Sequence, residues 1–230
     1  MDRRRRSFLQ RAAVLGAGLF SARTVAAGQQ DQHAGHEQMP MPPGMQMGEG
    51  SAPSAVITPD VPNLPFELDN GVKVFHLVAE PVKQEIFPGR VVDLWGYNGS
   101  APGPTIQVNQ GDRVRVIVDN HLPEPTSVHW HGFEIPIEMD GVPGISQDPI
   151  APGGRFVYEF TLHQQGTFFY HSHMAMQEML GMIGFFIMHP KQAYQPRVDK
   201  DFGLILQEYA ILPNNSVPRW RKTSSKTFRP

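Results

Sequence analysis

Residues 155–173 read Arg155-Phe156-Val157-Tyr158-Glu159-Phe160-Thr161-Leu162-His163-Gln164-Gln165-Gly166-Thr167-Phe168-Phe169-Tyr170-His171-Ser172-His173. In the first eight residues Phe156, Tyr158, Phe160 and Leu162 alternate with polar or smaller neighbours, the period of a half-buried β-strand. After a short break the aromatic run from Gly166 to His171 reads as a second strand. Working outward, Ala151-Pro152-Gly153-Gly154 is a turn into the first of these strands. Arg113-Val114-Arg115-Val116-Ile117-Val118 alternates in the same way after the turn Asn109-Gln110-Gly111-Asp112. Val72 to Val78 also alternates, and Gly181 to Met188 is an apolar run closed by Pro190. Only Ala175 to Leu180 reads as a single helical turn. Short strands at fairly even spacing, separated by Gly/Pro turns, predict an all-β sandwich or barrel over residues 61–190.

The rest of the chain has a different character. With 230 residues there is room for one ordinary domain with extensions, or two small ones. Hydrophobic residues make up 40% of it, enough for a packed core. Residues 1–27 are basic, and Arg5-Arg6-Ser7-Phe8-Leu9-Gln10 has the form of a twin-arginine export motif. A modest apolar run, Ala12 to Phe20, and the small residues Val25-Ala26-Ala27 complete the pattern of a signal peptide. The run is shorter than the roughly 20 residues of a membrane span. A periplasmic or secreted location through the twin-arginine route is therefore expected, with no transmembrane segment. Residues 28–60 read as a disordered linker in which His33, His36, Met39, Met41, Met45 and Met47 lie among Gln, Gly, Pro and Glu. Such a tract is either a spacer or a loose copper tether, since thioethers and imidazoles suit copper.

Beyond Lys191, Asp201 to Tyr209 reads as one more strand, followed by the turn Leu212-Pro213-Asn214-Asn215. From Arg219 the chain turns basic and Ser/Thr-rich. Residues 191–230 are read as the start of a second unit with an aberrant tail, an incomplete C-terminal segment. Both termini are basic while the formal net charge is −2, so the body between them is acidic, which argues against a nucleic-acid groove. The sequence has no Cys. That excludes disulfides, Cys-based zinc sites, a thiolate nucleophile and a Cys-ligated blue-copper site within it.

The chemistry-bearing residues are two His-x-His pairs, His129/His131 and His171/His173. Residues i and i+2 of a strand share a face, with Cα atoms roughly 6–7 Å apart. Each pair therefore presents two imidazoles together, while Trp130 and Ser172 point the other way. One such pair is weak evidence, since strand histidines are often only exposed or hydrogen-bonded. Two pairs on strands lying side by side would bring four imidazoles together, suited to Cu, Zn, Fe or Ni. His76, His121, His163 and His189 are singletons, read as surface or satisfied core residues. Met174, Met176, Met179, Met182 and Met188 read as packing, with a soft path for copper as the other reading.

His129-Trp130-His131-Gly132-Phe133, Met139-Asp140-Gly141-Val142, Gln147-Asp148-Pro149-Ile150-Ala151-Pro152-Gly153 and Gly166 to His173 together resemble the first cupredoxin domain of the multicopper oxidases. The likeness runs from about Val72 to Pro218 and takes in Leu206-Gln207-Glu208-Tyr209. It implies a Greek-key cupredoxin-like β-sandwich and copper as cofactor. By the same resemblance His129 is a type 2 copper ligand, and His131, His171 and His173 are type 3 ligands. Asp140 is then a candidate for orienting a ligand or delivering protons, although an Asp before Gly is also a common turn former. The family couples one-electron oxidation of a substrate, phenolic or a reduced metal ion, to four-electron reduction of O2 to water. It completes the cluster with further histidines from a domain that also carries the type 1 copper on a Cys.

This sequence departs from the family in lacking that Cys and the second set of histidine motifs. The reading is thus of an N-terminal region supplying half the cluster ligands, with oxidase turnover not expected from it alone. A truncated or frame-shifted product, or a cysteine-bearing cupredoxin domain supplied in cis or trans, would account for the difference. The alternative is a non-catalytic exported module that binds or buffers copper. A cupin would need Glu four or five residues after the second histidine of a pair, where Ile135 and Pro136 stand.

Overall fold

The computed structural model describes residues 55–192 and 198–218. The leader expected over 1–27, nearly all of the 28–60 linker and the tail from Arg219 lie outside the described residues. The strands are β1 (Val56–Ile57), β2 (Glu67–Asp69), β3 (Val72–Phe87), β4 (Arg90–Tyr97), β5 (Ile106–Asn109), β6 (Arg113–Asn120), β7 (His129–His131), β8 (Arg155–Thr161), β9 (Gly166–His171), β10 (Ile183–His189) and β11 (Asp201–Phe202). Single 3-10 turns occupy Ile137–Met139 and Glu178–Leu180.

One sheet runs β2-β3-β6-β8, with β4 on the far half of β3, and the other runs β5-β10-β9-β7. The chain is the all-β, Greek-key sandwich that the strand pattern and its resemblance implied. The strand β3 is longer than its alternating core, Val72 to Val78, indicates. Its first half pairs parallel with β6 and its second half, from Ala79, turns to pair antiparallel with β4. Two partners in succession sustain 16 residues of strand, and sequence alternation reads only the half whose inner face is apolar throughout.

Apolar residues from both sheets meet in one core. Phe75, Leu77, Val116, Val118, Tyr158 and Phe160 come from the first sheet, and Ile106, Trp130, Tyr170, Phe186 and Met188 from the second. Trp130 joins the two layers: its ring lies 5.3 Å from Tyr158 and 5.4 Å from Phe160 across the interface, and 5.9 Å from Phe186 within its own sheet. Tyr170 packs on Gly184, its cross-strand partner, where an added Cβ would lie 2.4 Å from the phenol ring. Among the singleton histidines, His76, His121 and His163 are exposed. His189 is buried with Nε2 2.9 Å from Gln107 Oε1.

Ladder pairing after residue 198 is confined to β11, parallel to β1, rather than the whole Asp201–Tyr209 stretch. Among the described residues β1 is only two residues long and pairs no farther, but the backbone keeps a strand's alternation. Gly203, Ile205, Gln207, Tyr209 and Ile211 are half-buried while Phe202, Leu204 and Leu206 are exposed. Farther on, Val217 enters the core and Ser216 bridges to Asp93.

Because Trp130 fills the space between the layers, Trp130→Ala is expected to cost about 3–5 kcal/mol of stability. Urea unfolding followed by circular dichroism measures it; a cost under about 1 kcal/mol, the size of an ordinary substitution, would contradict this packing role.

Candidate metal centre

The strands β7 and β9 pair antiparallel with His129 opposite His171 and His131 opposite Phe169. Directly opposed residues of a ladder share a face, so three of the four histidines project together from this edge of the sheet. Trp130 and Tyr170, opposed on the other face, are both fully buried. The imidazole centroids of His129, His131 and His171 are 5.3–5.6 Å apart. One ring nitrogen from each lies within 4.8 Å of the others. His173, just past the end of β9, lies outside that tight group, yet its ring is 5.3 Å from His129 and 6.2 Å from His171. His171 is buried, His129 half-buried, and His131 and His173 exposed, so the group opens to the surface.

Local partners decide which nitrogen each ring presents. The Nδ1 of His129 lies 2.7 Å from the backbone carbonyl of Asp140. A carbonyl only accepts, so Nδ1 carries the proton and Nε2 keeps its lone pair. The Nδ1 of His171 lies 3.0 Å from the Ser172 carbonyl and 3.2 Å from Glu178 Oε2, which likewise frees Nε2. The Nδ1 of His131 sits 3.3 Å from that Nε2 of His171. Two lone pairs so close repel unless a proton or a cation lies between them. Imidazoles whose other N–H is held by a carbonyl or carboxylate are the usual form of metal-ligating histidine. Neutral nitrogen donors of this kind fit copper, as they fit other late transition metals. Burial pushes the His171 imidazole below its ordinary pKa, with Glu178 opposing the effect, so the ring is held neutral at neutral pH.

The loop that carries Asp140 is pressed against the strand leading into His129. Gly141 has φ +77°, and a Cβ there would stand 1.8 Å from the Val128 carbonyl oxygen. Only glycine allows that approach, which puts the preceding carbonyl on His129 Nδ1. The Asp140 carboxylate is farther off, with Oδ1 at 3.4 Å. Val128 itself donates its N–H to the buried Tyr158 hydroxyl at 3.1 Å, and burial lifts that phenol to about 12.

The sequence singled out all four histidines and Asp140, and the fold brings them to one edge. It did not single out Glu178, or the buried Thr126, Ser172 and Gln177 beneath the histidines. The one available signal was the turn over Ala175 to Leu180, of which Glu178–Leu180 is a 3-10 turn. Of the nearby methionines, Met182 and Met188 are core residues, while Met176 and Met179 are exposed.

The fold is that of a cupredoxin domain, and it carries a cluster of histidines that could hold a metal ion. Residues 82–193, just under half of the chain, match the family described as multicopper oxidase. It is 40% identical over 140 residues to copper resistance protein A of Pseudomonas syringae pv. tomato, covering 61% of this chain and 23% of that one. Laccase-1 of Cryptococcus neoformans var. grubii is 45% identical over 113 residues, covering 47% of this chain and 18% of the relative. Among solved structures, Lac15 from a marine microbial metagenome superposes with TM-score 0.54 at 32% identity, covering 62% of this chain and 38% of that one. The chain thus spans well under half the length of the relatives it matches.

Two outcomes follow from this geometry. Asp140→Asn keeps the backbone carbonyl and should leave His129 protonated at Nδ1, whereas Gly141→Ala should abolish that state. Long-range ¹H–¹⁵N correlation of the imidazoles reads both, and an intact His129 pattern in Gly141→Ala would overturn the account. The unfolded chain protonates histidine near pH 6.5 while the folded chain resists at His171, so the metal-free domain should lose stability as pH falls below about 6.5. His171→Gln should flatten part of that dependence in urea titrations at pH 7.5 and 5.5; an unchanged slope would count against it.

Proposed function

We propose that this chain is a copper-binding oxidoreductase domain whose four histidines supply half the ligands of an oxygen-reducing copper cluster. In this reading His129 holds the type 2 copper through Nε2. His131 through Nδ1, with His171 and His173, serves the type 3 pair. The observation that carries it is the convergence of the imidazoles, with the outward Nδ1 of His129 and of His171 each occupied by a backbone carbonyl. The match of residues 82–193 to the multicopper oxidase family supports copper over the other metals that such donors accept.

Bound copper would supply one-electron acceptance and transfer to O2, which takes four electrons and four protons to give two waters. The protein's part is to hold the imidazoles neutral and fixed. Asp140, with its carboxylate beside His129 and about a third exposed, is positioned to pass protons inward or steady that ring. The reducing substrate is a phenol or a reduced metal ion. Electrons would enter at a cysteine-ligated copper, which this sequence does not contain. A cysteine-bearing cupredoxin domain, in cis or trans, would supply that copper and the remaining histidines.

Residues 61–190 are then the cupredoxin domain and the stretch from 191 the opening of a second unit. The exposed Phe202, Leu204 and Leu206 support this division, since they leave apolar surface for such a unit to cover. The leader of residues 1–27 would export the protein by the twin-arginine route to the periplasm or outside. Relatives named for copper resistance favour a second reading, a non-catalytic copper-binding module using the same histidines and the 28–60 tether.

His171→Ala with His173→Ala should reduce copper retained after desalting far more than His33→Ala with His36→Ala, measured by atomic absorption. Equal losses would sink the cluster reading. Copper-loaded chain with a phenolic donor should consume O2 only once the cysteine-bearing domain is supplied. No uptake even then would favour the non-catalytic module.

A further inference from the structure

His131 and His171 sit on a ladder, but His173 does not. The strand β9 ends at His171, and the backbone bond from Ser172 N to Met182 O at 3.1 Å is the last tie before His173. Whatever fixes this imidazole must therefore act through the loop that follows. That loop turns back beneath the histidines, and its buried polar side chain is Gln177, 2% exposed.

The Gln177 amide is engaged on both sides. Its Oε1 accepts from the Ser172 hydroxyl at 2.7 Å and from the Thr126 hydroxyl at 2.8 Å. Its Nε2 donates to the Pro125 carbonyl at 2.9 Å. The Ser172 oxygen in turn accepts the N–H of Met174 at 3.2 Å, so His173 is flanked by two residues held in one network. Thr126 is itself pinned by paired backbone bonds with Ile150, three residues before His129. Gln177 thus ties the loop carrying His173 to the segment that leads into His129. A buried amide has the donor and acceptor this needs; an apolar residue of the same size has neither.

We infer that Gln177 is a positioning residue: it sets His173 against His129, and so decides whether the fourth imidazole can share a metal with the other three. The inference rests on the metal-centre reading above. It assigns Gln177 no contact with metal or substrate. Its action passes through Ser172 and the backbone of residues 172–174 on one side and through Thr126 on the other. Removing such a support costs about 10- to 100-fold in metal affinity.

The test uses the full chain titrated with Cu(II) against a competing chelator, with electron paramagnetic resonance reporting the nitrogen ligands. Gln177→Met keeps the volume and removes the hydrogen bonds. It should weaken copper by about 10- to 100-fold and reduce nitrogen hyperfine coupling. In a His173→Ala background the same substitution should add no further loss, because its route of action is already gone. A loss of equal size in both backgrounds, or wild-type affinity in Gln177→Met, would overturn the inference. Should Gln177→Met fail to fold by circular dichroism, Ser172→Ala and Thr126→Val carry the same comparison with His173→Ala. If wild type and the His171→Ala/His173→Ala double variant take up copper alike, the metal-centre reading itself fails. If they differ and Gln177→Met matches wild type, only the role of Gln177 fails.

Discussion

The register of β7 on β9 is the constraint from which the site follows. Side chains alternate across a strand, so a slip of one residue would send every histidine inward and Trp130 and Tyr170 out to solvent. Those two aromatics are fully buried, and rings of that size hide roughly 150–250 Å² each. At about 25 cal/mol per Å², the burial is worth some 4–6 kcal/mol apiece as an upper figure. The histidines contribute nothing comparable, since His131 and His171 stand close enough to repel without a proton or cation between them. The hydrophobic face of the ladder therefore fixes the geometry of its polar face. The histidine cluster is organised by the core behind it.

The ladder's authority ends at its third histidine. Beyond it, loops finish the arrangement, and they do so mainly with backbone oxygens and buried polar side chains. The Asp140 carbonyl selects the tautomer of His129, and the Ser172 carbonyl, with Glu178, that of His171. Gly141 permits the first of these by yielding the space a Cβ would take. Gln177 binds the loop of His173 to the segment before His129. His131 and His173 are exposed, so the histidine group opens toward the surface.

Much of this was legible in the residues. Alternation in 113–118, 155–162 and 166–171 marks β6, β8 and β9, because each buries one face against the same core. The pair His129/His131 is legible for the same reason, since a period of two places both rings on one side, whereas His173 lies past the end of β9 and is placed by the loop that follows. The double pairing of β3, the short β1–β11 ladder and the half-buried run to Ile211 were not legible, since partners distant in sequence determine them.

By itself, then, the sequence determined which side chains share a face and which metals they suit, and its linked motifs pointed to the family. Tertiary structure alone decided that the two pairs are neighbours, that His129 opposes His171, and which ring nitrogen each presents. It also turned Asp140 from a carboxylate of interest into a residue acting first through its carbonyl, and brought forward Gln177 and Glu178. The reason is physical. A face is set by the local period of the backbone, whereas a tautomer or a loop anchor is set by an acceptor that folding brings near.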